Sequence, residues 1–149
     1  MSLILEAILT TATPDGGTHI APLGFRREDG FVVLSPFHPS RTLDNLRATG
    51  IAAISHPSDV RVFAGCLTGR RDWPLVPCDR IACGRLAEAL SHSELIVEQI
   101  EEDAVRPRFI CREVVQVGIW LSPAIIVPRL PSSRPAYWPA VWACFPPTR

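Results

Sequence analysis

Apolar and polar positions alternate over Leu3–Ala12, the period of a strand with a covered face, and Pro14-Asp15-Gly16-Gly17 follows as a tight turn. Thr18–Phe25 returns as a second strand. The polar run Arg26–Gly30, closed by Asp29-Gly30, reads as a second turn, and Phe31–Leu34 as the third strand of a meander. Pro22 interrupts the second strand. Because it has no N–H to give a ladder, Ala21-Pro22-Leu23-Gly24 is an edge, a bulge or backbone that faces a ligand.

The period changes in Ser35–Gly50. Ser40 stands where an N-cap belongs, Leu43 and Leu46 share a face, and Gly50 supplies a left-handed stop, which together predict a helix of about two turns. Arg41 and Thr42 lie at its N-terminal end, where unpaired N–H groups and the helix dipole favour an anion such as phosphate. An ordinary capped connector with a solvated Arg41 fits the same spacing. Ile51–Ser55 is a fourth strand. Connections this short rule out parallel crossovers and favour a small closed or half-closed antiparallel barrel.

Asp59 caps Val60–Thr68, whose apolar residues fit a short helix better than a strand. Gly69–Asp79, with its Gly, Arg and Pro around Trp73, predicts a mobile loop. Arg80–Leu90 alternates loosely. Leu95–Glu101 and Arg108–Val117 predict a hairpin across a bend at Glu101–Pro107, with Phe109, Cys111, Glu113, Val115 and Val117 on one face. A helix over Ser93–Asp103 competes, since Glu-rich sequence disfavours strand.

Composition narrows the chemistry. The 149 residues make one domain's worth, and fifteen basic residues balance fifteen acidic ones, so no general pull toward nucleic acid or anionic membrane is expected. Every basic residue is Arg, which removes lysine nucleophiles and Schiff bases. No apolar run reaches the length of a membrane span, and the N-terminal stretch lacks a basic leader, so a cytoplasmic protein is expected. The five Cys form no CxxC pair and the four His are scattered, so no metal site is expected and the Cys read as reduced, buried hydrophobes. Only His38 lies beside the anion-ready loop, where a solvent-facing histidine is the ordinary state.

Taken in order, Ile4-Leu5-Glu6, Thr10-Thr11, Ile20-Ala21-Pro22-Leu23-Gly24, Pro36-Phe37, Pro39-Ser40-Arg41-Thr42, Asn45-Leu46, Thr49-Gly50, Asp59-Val60 and Phe63-Ala64 resemble the DUF447 family from about Leu5 to Gly118. That family is related to the flavin-reductase-like and pyridoxamine-oxidase-like proteins. The resemblance implies a mainly β protein with short helices, an FMN-binding split β-barrel, antiparallel and Greek-key-like. It implies FMN as cofactor, with Ser40, Arg41 and Thr42 on the phosphate, Asn45 nearby, and Ala21, Pro22, Leu23 and Gly24 along the flavin ring. A planar guanidinium suits two phosphate oxygens at once. The resemblance further implies a homodimer and an oxidoreductase acting on a small molecule, with a pterin of C1 metabolism as one substrate by association. A flavin-binding or ligand-sensing module without turnover, or a barrel that has lost its cofactor, are the alternatives. No side-chain acid or nucleophile is identified.

From about Leu121 the resemblance stops, dividing the chain into a barrel domain, 1–120, and a Pro- and Trp-rich tail, 121–149, where a C-terminal helix is expected. Shifting the codon frame by one position, with free choice of silent bases, lets Ile125-Ile126-Val127 yield NRA and Leu130–Pro135 yield AVIEA. Both are usual in the family, in that order. The tail therefore reads as divergent or frameshifted near Trp120–Ala124, through a sequencing error or a real lesion, and Trp138 and Trp142 are not a cofactor motif. Resequencing the DNA across this region is expected to reveal a displaced frame; an unbroken frame encoding this tail excludes a sequencing error.

Overall fold

The computed structural model describes residues 3–118; the expectations for the tail lie outside the described residues. The elements are β1 (Leu5–Ala12), β2 (Thr18–Glu28), β3 (Phe31–Leu34), α1 (Arg41–Thr49), β4 (Ile51–His56), α2 (Val60–Leu67), β5 (Leu75–Pro77), β6 (Gly84–Leu86), β7 (Ser91–Glu101) and β8 (Arg108–Gly118). Six strands close an antiparallel barrel in the order β1-β2-β3-β8-β7-β4, and β4 pairs back onto β1. With β4 beside β1 of the β1-β2-β3 meander, the order is that of a Greek key. The separate hairpin β5–β6 lies outside this closed sheet.

Register assigns the two faces. Leu9 pairs with Ile54, Phe25 with Leu34, Leu34 with Phe109, and Leu95 with Ala52, so these side chains share one face. The alternate residues Ile8 and Ile20 pack instead against Val62 and Cys66 of α2 and Leu86 of β6. A helix does not fit inside six strands, so the Ile8 face is the outside and the Leu9 face is the interior. Ala7–Ala12 of β1 is consequently buried on both faces.

The local signals for α1 hold. Ser40 has extended φ and ψ, its hydroxyl accepts from the Leu43 N–H at 3.2 Å, and Gly50 at φ +68° donates its N–H to Leu46. Asn45 donates its side-chain amide to the Thr11 hydroxyl at 3.0 Å, tying α1 to the interior face of β1. The expected helix Val60–Thr68 forms as α2, with Asp59 as its cap.

Several expected boundaries move. The turn predicted over Arg26–Gly30 is only Asp29-Gly30, both at positive φ, and β2 runs on to Glu28 because Phe25–Glu28 pairs with β3. Leu75–Pro77, expected as loop, is β5. Only Gly84–Leu86 of the Arg80–Leu90 stretch is strand, since these two segments pair with each other. The hairpin forms and the competing helix over Ser93–Asp103 does not. β7 begins four residues earlier than expected, at Ser91. The single face expected on β8 is broken by a bulge: Leu95 pairs with Glu113 but Glu94 with Val115, which leaves Val114 extra. Phe109, Cys111 and Glu113 therefore keep the interior side while Val115 and Val117 follow Glu94 and His92 outward.

Phe109 is fully buried at the β3–β8 seam. Phe109→Ala is expected to cost about 3–5 kcal/mol of unfolding free energy, checked by urea denaturation.

Candidate functional site

The N-terminal end of α1 is the most chemically prepared place on the barrel. A helix leaves its first N–H groups without partners inside the helix, and the Ser40 hydroxyl answers only that of Leu43. Arg41 is exposed there. Its charge acts on Asp15 and on His19 of β2, and Arg71, from the segment after α2, also acts on His19. Arg71 is held by donating to the carbonyls of Cys66 and Arg70. The start of α1, with the exposed Arg41, thus has the Asp15 carboxylate and the His19 imidazole within range of its charge, and Arg71 also acts on His19.

His19 sits beside Ala21 on the same strand face, two residues before it. Burial lowers the His19 pKa from its ordinary value, and the two Arg charges lower it further. The positive charge here therefore resides on Arg41 and Arg71, and His19 is a neutral donor or acceptor near pH 7.

The sequence-derived set divides by what each residue already does. Ser40, Arg41 and Thr42 are together at the start of α1, although Thr42 is buried and the Ser40 hydroxyl is engaged as a cap. Asn45 is buried and bound to Thr11, so its role in this structure is to anchor the helix. His38 is exposed. Ala21–Gly24 is half-buried and pairs with β1 on one edge; β2 pairs with β3 only from Phe25 onward. Among the described residues, the other edge of Thr18–Gly24 carries no strand. Pro22 thus falls on an open edge, in agreement with its missing donor.

Gly24 also lines a pocket of about 180 Å³ with Arg26, Arg106 and Arg108. A Cβ at Gly24 would stand 2.9 Å from the exposed Ile4 side chain, which would have to shift to admit it. His19 and Arg71 were missed by the sequence reading. The period of β2 could have found His19, on the Ala21 face, whereas Arg71 carries no local signal.

The protein-family comparison matches residues 5–119 to the N-terminal domain described as protein of unknown function DUF447. The chain is a DUF447-family protein. An FMN-bound DUF447 protein from Methanosarcina mazei is similar in structure, with TM-score 0.65 and 16% identity over 86% of this chain and 66% of that one. Flavoredoxin from Methanosarcina acetivorans gives 0.67 and 11% over 83% and 74%. A 2-nitrobenzoate 2-nitroreductase from Pseudomonas fluorescens gives 0.66 and 17% over 76% of this chain. The DUF447 chain spans 64% of the length of that nitroreductase. At these identities the likeness establishes the barrel fold. No curated protein matches the sequence.

His56 resembles His19: burial first, then the Arg27 charge, lowers its pKa. Its Nδ1 lies 3.1 Å from the Ser91 hydroxyl, and its ring meets Phe25 edge-on. A depressed histidine binds its proton more weakly in the fold than in the unfolded chain. The stability it contributes is complete above the unfolded value of 6.5 and is lost as pH falls through the lower folded value. Unfolding free energy is therefore expected to fall between about pH 7.5 and about pH 5.5, and His56→Gln to flatten that slope, measured by urea denaturation across pH.

Proposed function

We propose that this DUF447 protein binds FMN and acts as an oxidoreductase on a small molecule. The phosphate is held at the start of α1 by Arg41, the free N–H groups and the Ser40 and Thr42 hydroxyls, with Arg71 adding positive charge and the neutral His19 a hydrogen-bond donor. The flavin ring lies along Ala21–Gly24, and Asn45 holds α1 in place. The observation that carries the assignment is the N-terminal end of α1, where Ser40 caps only the Leu43 N–H, with Arg41 exposed beside it and His19 within reach of the Arg41 and Arg71 charges. Next to it, the open edge of β2 leaves backbone available to a planar ring. The residues therefore fit both ends of FMN, and the FMN-bound DUF447 protein from Methanosarcina mazei supports the choice of cofactor.

FMN, when bound, supplies hydride and single-electron transfer, and the protein contributes binding, orientation and exclusion of water. Arg41 and Arg71 neutralise phosphate charge. A second copy of the chain laid against Thr18–Gly24 would cover the open edge and shield the ring from solvent, so a homodimer is part of the proposal. The substrate is a small molecule, with a pterin as a first candidate. A cytoplasmic location accords with the free thiols of Cys66, Cys78, Cys83 and Cys111. Among the described residues, no helix is long and apolar enough to cross a membrane.

Added FMN is expected to give a bound-flavin spectrum and to raise the melting temperature of the full chain. Arg41→Ala should weaken FMN on the order of tenfold, about 1.4 kcal/mol, and unchanged retention would remove Arg41 from the phosphate site. Repeated reduction of bound flavin by NADH or NADPH supports an oxidoreductase. Tight flavin that accepts electrons from neither would favour a binding or sensing module.

A further inference from the structure

A second cluster lies on the outer face of the barrel, among residues that the flavin assignment does not use. His92 and Glu94, two apart on β7, point to the same side of the sheet, and Asp79 approaches them from the β5–β6 connection. One potential ligand atom from each residue lies within 4.8 Å of the other two. The three come from segments with no shared motif, which is why spacing does not reveal them.

Two features distinguish the cluster from a solvated acidic patch. Glu94 is 0% exposed, and its two oxygens accept from the backbone N–H groups of Asp79 at 2.6 Å and Arg80 at 2.8 Å. These bonds draw the connection onto β7, yet each carboxylate oxygen keeps lone-pair capacity. His92 is 6% exposed, and its Nε2 is buried with no hydrogen-bond partner. That nitrogen lies 3.9 Å from Glu94 Oε1, beyond hydrogen-bond reach. Two ligands of one cation, each bound at about 2.1–2.4 Å, take up such a separation. Asp79 is exposed and gives the cluster an opening to solvent.

We propose that Asp79, His92 and Glu94 bind a divalent first-row transition metal ion, which pins the β5–β6 connection to β7. One imidazole nitrogen with two carboxylates suits Mn²⁺, Fe²⁺ or Zn²⁺, whereas Mg²⁺ and Ca²⁺ take oxygen ligands. The metal stabilises the buried Glu94 charge and satisfies His92 Nε2. Arg85 of β6, whose charge also acts on His92, is the competing cation. Cys78 and Cys83, joined by the Cys78 N–H donating to the Cys83 carbonyl at 2.9 Å, are a competing soft site for Zn²⁺.

Mn²⁺ separates these cases because thiolates bind it poorly. The full-length chain, stripped with EDTA, is titrated with MnCl₂ while free Mn²⁺ is followed by electron paramagnetic resonance. One saturable site per chain is expected, retained in excess Mg²⁺, together with a higher melting temperature. Asp79→Asn, at an exposed position, should keep the fold and weaken Mn²⁺ about tenfold or more. His92→Gln should do the same, and Arg85→Gln should tighten binding. Circular dichroism of the metal-free variants checks their folding. Absence of saturable binding, or equal binding by wild type and Asp79→Asn, overturns the site and leaves Arg85 as the counter-charge to Glu94. Zn²⁺ held through thiolate charge-transfer bands that persist in Asp79→Asn also overturns it, in favour of the cysteine pair.

Discussion

Burial of β1 on both faces is the constraint on which the rest of the structure depends. Its edges pair with β2 and β4, closing the barrel, while its two faces serve different cores. Ala7, Leu9 and Thr11 look inward, and Ile8, Thr10 and Ala12 look outward under α2 and the β5–β6 hairpin. A strand in this position has no polar face to give to solvent, so its hydroxyls need protein partners. Thr11 accepts from Asn45, and Thr10 donates to the Gly84 carbonyl at 2.6 Å. One strand therefore positions both α1 and the hairpin beside the Asp79, His92 and Glu94 cluster.

Burial of polar groups follows the same logic farther round the sheet. Arg27 meets Glu113 through two bonds, 2.9 and 3.1 Å, linking the extended end of β2 with β8 just before its bulge. Arg108 bridges Glu28 and Glu101, joining three strands near the hairpin bend. Such paired charges contribute modestly where solvent reaches them, and their value lies more in fixing register than in adding stability. Glu94 is the exception, because a fully buried carboxylate needs partners, which the Asp79 and Arg80 backbone N–H groups supply.

The parts of the fold legible in the sequence were those whose signals are local. The cap at Ser40, the stop at Gly50, the Asp29-Gly30 turn and the donor-less Pro22 each rest on the chemistry of one or two residues. The first half of β7 was not legible, since Ser91-His92-Ser93-Glu94 looks like surface; in the fold Ser93 is buried opposite Ile54, and a distant connection donates two N–H groups to the buried Glu94. The β8 bulge likewise depends on its pairing with β7, which no pattern along β8 alone reveals. Near the proposed site, the helix terminus and its cap were read from spacing, and the irregular strand from Pro22. The bond from Asn45 to Thr11 spans 34 positions, which no local spacing reveals. Arg71 has no periodic context at all.

The open edge of β2 also bears on the life of the chain before any cofactor or partner reaches it. A half-buried strand with unpaired backbone is a template for strand addition, and any chain with matching residues can extend the sheet there without limit. Pro22 stands in the middle of that segment and withholds one donor from every such pairing. Pro22 therefore acts as a gatekeeper against strand addition at this edge. Replacing it with a residue of higher strand propensity would restore an N–H to the open edge and lose that protection.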